Sequence, residues 1–193
     1  GYVEVGLNRG DVVSRRVTIA NDGLRMLRGV ELRPPTNTTW MIPALPAADS
    51  GKIALPDLDV GETFTFTMTF APPEETELGD YHDVMHIEGT NDTADLNIHC
   101  YARVTSDARG DVQFYVDSVL GLPVHEARIR IRNLLLNEEM TPVFTDTNGL
   151  VTVRGLTEGQ WSYQVTAPGY GPNADMVEVV PDLETDVEIE VNS

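Results

Sequence analysis

The chain has 193 residues, 31 of them acidic and 13 basic, for a formal net charge of −18. That length accommodates one large or two small domains, and that charge repels polyanions, which excludes nucleic acid and disfavours anionic membrane surfaces as partners. No apolar run approaches the roughly 18 residues of a membrane helix, no basic-then-apolar leader opens the sequence, and the lone Cys100 excludes an intramolecular disulfide.

With 12 prolines and 16 glycines the sequence favours many short strands and turns. Residues 1–105 read as one unit. Val17 and Ile19 mark a strand, Asn21-Asp22-Gly23 a turn, and Gly29 to Leu32 a second strand that Pro34 and Pro35 end. A loop is expected from Trp40 to Pro56. Asp59 to Glu62 then turn into the cleanest alternation of the chain, in which Phe64, Phe66, Met68 and Phe70 point one way and threonines the other. Pro72, Pro73 and an acidic loop lead to a hairpin of residues 81–89 and 95–104 that turns at Thr90 to Thr93. Its second arm puts Leu96, Ile98, Cys100, Ala102 and Val104 on one face, so Cys100 is expected to be a small core residue. The succession Gly10-Asp11, Val17 to Gly23, Gly29 to Leu32, Trp40, Leu58 to Phe70 and Gly79-Asp80-Tyr81 resembles the immunoglobulin-like accessory modules of secreted bacterial glycosidases and the wider group that includes fimbrial chaperones. That resemblance implies an immunoglobulin-like sandwich and carries over no catalytic residue.

Residues 106–110 are short, polar and glycine-bearing, as a linker is. In residues 111–193 Phe114, Val116 and Val124 lead to a strand with Ala127, Ile129 and Ile131 inward and Arg128, Arg130 and Arg132 outward, where Glu178, Glu188 and Glu190 are expected to face them. Asp146 to Gly149 form a turn before Val151 and Val153. Thr157 to Gly159 form another, before Trp161, Tyr163 and Val165 run to the stop at Pro168-Gly169. Val177 to Val180 and Val187 to Val191 supply the last strands. The segments Thr145-Asp-Thr-Asn-Gly149, Gly155-Leu-Thr-Glu-Gly159 and Ala167-Pro-Gly-Tyr170 resemble the signature of carboxypeptidase-regulatory-like domains, relatives of transthyretin and of Cna-type B repeats. The resemblance implies a transthyretin/prealbumin-like sandwich that spaces, stiffens or presents something else. Cna-type relatives often crosslink a lysine to Asn or Asp beside a buried acid. Residues 111–193 hold no lysine, and Gln164 stands at the position of an acid before the Ala-Pro motif, so the resemblance is to the plain regulatory-like branch.

Candidate site residues are few. The hairpin register puts Val84 opposite His99, with His82 and His86 on its diagonals and all three histidines facing away from the core. Residues four apart on a strand lie about 13 Å apart, so His82 and His86 cannot share a zinc ion with bonds of about 2 Å. His99 with His86 or His82 is the candidate metal pair. Asp107 with Asp111, and Asp57 with Asp59, are the candidate calcium carboxylates, although no dense Asp-x-Asp-x-Asp-Gly loop is present. No cofactor other than that calcium is expected. Arg-Gly-Asp occurs as Arg9 to Asp11 and as Arg109-Gly110-Asp111, the second copy in the expected linker, where a partner could reach it. Asn37 and Asn91 fit the N-glycosylation pattern in loops. His99 and Cys100 are strand neighbours with opposed side chains, and no nucleophile-base motif is present, so no catalytic residue is expected.

The sequence therefore implies an all-β chain of two tandem β-sandwich domains, residues 1–105 and 111–193. It is expected to be a non-catalytic structural or adhesive spacer or stalk of a larger exported or cell-surface protein, able to assemble end to end. Its partners would be other domains of the same longer chain, further copies, or a surface protein or glycan, with no nucleic acid and no membrane insertion. The alternative is an accessory carbohydrate-binding module of a secreted glycoside hydrolase. In that case Trp40, Trp161, Tyr163 and Tyr170 are the stacking candidates, with Trp161 and Tyr163 expected to lie in the core.

Overall fold

The computed structural model describes residues 1–46, 51–89 and 96–192, all strand, turn and loop, and divides the chain into compact units Gly1–Thr105 and Ser106–Ser193. In the first unit the strands are β1 (Tyr2–Asn8), β2 (Val13–Ala20), β3 (Glu31–Arg33), β4 (Met41–Pro43), β5 (Ile53–Ala54), β6 (Thr63–Phe70), β7 (Gly79–Glu88) and β8 (Leu96–Thr105). They form one sheet in the order β1-β8-β7-β3-β5 and another in the order β2-β6-β4. Every pairing is antiparallel except that of β1 with β8, which runs parallel from Tyr2↔His99 to Asn8↔Thr105.

Alternation makes this a sandwich. Phe66, Met68 and Phe70 from one sheet meet Met85, Ile87, Cys100, Ala102 and Val104 from the other in a single buried cluster, while the threonines of β6 stay outside. The expected loop from Trp40 to Pro56 contains β4 and β5. Three and two residues are too few to show a period, and Pro43 is tolerated because β4 is an edge strand.

The second unit comprises β9 (Arg109–Ser118), β10 (Arg128–Asn133), β11 (Glu138–Glu139), β12 (Val143–Phe144), β13 (Leu150–Thr157), β14 (Gly159–Thr166), β15 (Asn173–Val179) and β16 (Glu184–Val191). One sheet has the order β11-β10-β14-β15, with β12 also on β10, and the other has the order β13-β9-β16. Again the first and last strands of the unit lie side by side and parallel, from Glu184↔Asp111 to Val191↔Ser118. Phe114, Ile129, Ile131, Trp161, Val165 and Val179 are among the buried residues that join the two sheets. The Asp146 turn is held by its own carboxylate, whose Oδ1 accepts the N–H groups of Asn148 at 2.8 Å and Leu150 at 3.0 Å. Those bonds, the one from Leu150 foremost, hold the Asp146 carboxyl below the usual carboxylate range. Gly149 has φ +73, and a Cβ there would lie 2.5 Å from the Val116 carbonyl oxygen, so the turn requires glycine.

Two expectations are corrected here. Arg109 and Gly110 belong to β9, and Gly110 is buried: a Cβ on it would sit 2.2 Å from the Val180 carbonyl oxygen and 3.1 Å from that of Leu183. Glycine serves close approach of two chain segments, so Arg109-Gly110-Asp111 is strand and not an exposed linker loop. The outward arginines of β10 do not face Glu188 and Glu190, and Glu178, on β15 of their own sheet, is separated from them by β14. Arg130 pairs with Glu139 at 2.6 Å, Arg132 donates to Asn137, and β16 with its glutamates belongs to the other sheet.

Candidate functional site

The outer face of β1, β8 and β7 gathers more chemistry than any other described surface of the first unit. Odd-numbered residues of β8 point away from the core, which sets His99, Tyr101 and Arg103 in a row. Antiparallel register places His82 beside Tyr101 and Asp80 beside Arg103, and parallel register places Tyr2 beside His99 and Glu4 beside Tyr101. The rings of His82 and Tyr101 lie 4.6 Å apart and within 18° of parallel. His82 Nε2 and His99 Nδ1 are 3.0 Å apart and share one hydrogen bond, whose direction depends on which ring carries the proton. Arg103 grips Asp80 with two bonds, Nε to Oδ1 at 2.7 Å and Nη2 to Oδ2 at 3.1 Å. That grip holds the Asp80 carboxyl below its ordinary range and raises the guanidinium. A groove of about 490 Å³ runs between Tyr2, Glu4, Asp80, Tyr101 and Arg103, and Tyr2 is 73% exposed. Aromatic surface with charged groups at its rim suits a ring bearing hydroxyl groups or a cationic side chain. Nothing in it supplies an activated nucleophile.

The histidines separate as the register requires. His99 meets His82, and His86 instead donates from Nδ1 to Asn97 Oδ1 at 2.7 Å. Among the described residues no three His, Cys, Asp or Glu side chains come together as a metal-ligand set. Asp111 Oδ1 accepts the Gly155 N–H at 2.9 Å, while Asp107 is exposed. Asp57 Oδ1 accepts the Gly29 N–H, and the Asp59 N–H is bound by Glu62, so these acids close turns. In the other Arg-Gly-Asp, Gly10 donates to the Pro72 carbonyl at 2.7 Å within a turn.

The tryptophans and tyrosines named as stacking candidates lie wholly or partly in the two cores. Trp161 is 1% exposed and donates its indole N–H to the Thr157 carbonyl at 2.8 Å, and Tyr163 packs edge-on against Phe114. Trp40 is half-buried, edge-on to Tyr81, and Tyr170 lies against the second core. Asn37 is exposed, but its turn is clamped by buried Asp83, which accepts the N–H groups of Asn37 and Thr38 at 2.8 Å each. Asn91 lies outside the described residues. Cys100 is fully buried, and burial, with Asp83 nearby, pushes its thiol up to about 11.

Tyr2 and Tyr101 were missed as surface aromatics. Tyr101 was readable, because it falls out of phase with the apolar residues of β8. Tyr2 was not, because its place depends on a pairing across nearly the whole unit.

No family model matches the sequence, and no curated protein matches it. Solved structures show distant likenesses. The Bacillus anthracis TIE protein is 12% identical with a TM-score of 0.42 over 97% of this chain, which spans 42% of that protein. The minor pilin GBS52 of Streptococcus agalactiae is 13% identical with a TM-score of 0.39, covering 91% of this chain and 84% of that one. The full-length major pilin SpaD of Corynebacterium diphtheriae is 13% identical with a TM-score of 0.38, covering 96% and 62%.

Proposed function

We propose that the chain is a non-catalytic, tension-bearing spacer of a larger exported or cell-surface protein, built from an immunoglobulin-like and a carboxypeptidase-regulatory-like sandwich. One observation carries this reading: in both units the first strand lies parallel to the last. Force applied through the two ends of a unit pulls those strands in opposite directions along their common axis. The ladder from Tyr2↔His99 to Asn8↔Thr105, and that from Glu184↔Asp111 to Val191↔Ser118, is then loaded in shear, with its hydrogen bonds sharing the force instead of breaking in turn. The connection Ser106 to Ala108 puts the two ladders in series.

The Tyr2, Tyr101 and Arg103 face supports a second reading, a glycan-binding module whose platform is this sheet and not the tryptophans. A glycan array separates the two. The spacer reading expects no binding above background, and binding that disappears in Tyr101→Ala without change in melting temperature would replace it.

A further inference from the structure

The second unit carries rows of opposite charge on its two outer faces. Residues 106–193 hold 15 acidic side chains and five arginines, and three of those arginines, Arg128, Arg130 and Arg132, stand exposed in a row on β10. The inner sides of the two sheets share one core, so their outer sides face opposite ways. On the far side β16 exposes Glu184, Asp186, Glu188 and Glu190 in a second row. Both rows repeat at every second residue, about 6.6 Å, so a straight stripe of cations on one copy matches a straight stripe of anions on another.

The arginine face also has the composition of an interface core, which is enriched in aromatic residues, methionine and arginine. Phe144, paired in register with Arg128, is 57% exposed, and Met176 is 55% exposed. Beside Phe144 a groove of about 770 Å³ runs between Glu126, Arg128, Thr166, Ala167 and Pro168. On the acidic face Tyr115 lies in register with Glu188, an aromatic surface on which a guanidinium can stack. Glu139, which already binds Arg130, with Glu126 beside Arg128 and Glu178 on β15, balances the three arginines formally, so the positive charge is confined to the β10 row itself.

We propose that the arginine face of β10 docks the acidic β16 face of a second copy of this chain. The two surfaces are different, so the contact is heterologous and leaves a free face at each end, and repeated contacts build an open stack instead of a closed dimer. Salt dependence follows from the charges. At about 10 mM salt the Debye length is about 30 Å and the whole-molecule charge of each copy repels the other. At about 0.15 M it is about 8 Å, and the facing stripes dominate. At about 1 M it is about 3 Å, and the stripes are screened as well. Association therefore peaks at intermediate salt.

The test is sedimentation equilibrium of the full chain across that salt range, with two charge-reversed forms: Arg128→Glu with Arg132→Glu, and Glu184→Arg with Glu188→Arg. The average mass of the unaltered chain should climb with concentration without a dimer plateau, most steeply near 0.15 M. Each reversed form alone should associate about tenfold more weakly or worse. Mixed in equal amounts, the first form still offers the unaltered acidic β16 face and the second the unaltered arginine face, so association between them should return. A chain that stays monomeric at all salts, association that grows steadily with salt, or a mixture that fails to recover while both forms keep the original melting temperature overturns the proposal. If a double variant melts early, Arg128→Glu and Glu188→Arg serve as the pair. Failure here leaves the spacer reading standing, because a monomeric spacer still carries tension.

Discussion

Replacing Gly110 by alanine distinguishes a linker from a strand. In a linker the change would be neutral or slightly stabilising, because alanine restricts the unfolded chain. Gly110 instead lies in β9 where a Cβ would meet the Val180 oxygen at 2.2 Å, far inside contact distance, and the neighbour is backbone that cannot rotate away. The segment from Val180 to Leu183 has to move. It is fixed by the Asp111 N–H to the Leu183 carbonyl and the Asp182 N–H to the Arg109 carbonyl, each 2.9 Å, and both bonds are strained or lost. Overpacking of this kind costs about 1–3 kcal/mol and each hydrogen bond about 1 kcal/mol, giving a destabilisation of about 3 kcal/mol. For a unit of this size that lowers the melting temperature by about 15 °C. Calorimetry of Gly110→Ala, with the fluorescence of buried Trp161 reporting on the second unit, should show that drop. A transition within about 2 °C of the unaltered chain would refute the close approach.

Two further outcomes follow from the buried groups of the first unit. Asp83→Ala removes the acceptor of the buried Thr38 N–H and should cost that unit about 2–3 kcal/mol in denaturant, with faster amide exchange at Asn37 and Thr38; an unchanged midpoint would contradict the clamp. The Cys100 thiol is raised from 9.0 to about 11 in the folded chain, so the unfolded chain loses this proton first as pH rises. Its contribution is fully present below pH 9 and is lost between about pH 9 and 11, by about 2–3 kcal/mol, a decline that Cys100→Ala should flatten and that equal slopes would rule out.

Much of the strand pattern was legible because alternation is local. The period of Phe64 to Phe70 located β6, that of Ile98 to Val104 located β8 with its inward Cys100, and the hairpin register paired His99 diagonally with His82. What escaped depends on neighbours distant in sequence or on segments too short to show a period. β4 and β5 are strands only because β6 and β3 pair with them. Residues 106–110 read as a linker because glycine in sequence cannot distinguish freedom from crowding. The arginines of β10 were assigned to distant glutamates, whereas the two-residue strand β11 returns Glu139 to Arg130. The parallel pairing of first and last strands, on which the functional proposal rests, leaves no periodic trace at all.

That pairing is also what a direct measurement can load. With force applied through Gly1 and Asn192 by single-molecule spectroscopy, the chain should yield two separate events. They should release about 350 Å and about 300 Å of contour, as 105 and 88 residues at about 3.3–3.6 Å each require. The same second unit held instead at Arg109 and Thr157, paired at one end of the antiparallel β9–β13 ladder, is unzipped bond by bond and should open at clearly lower force. Equal forces in the two geometries, or extension through the ends without discrete events, would contradict a tension-bearing role.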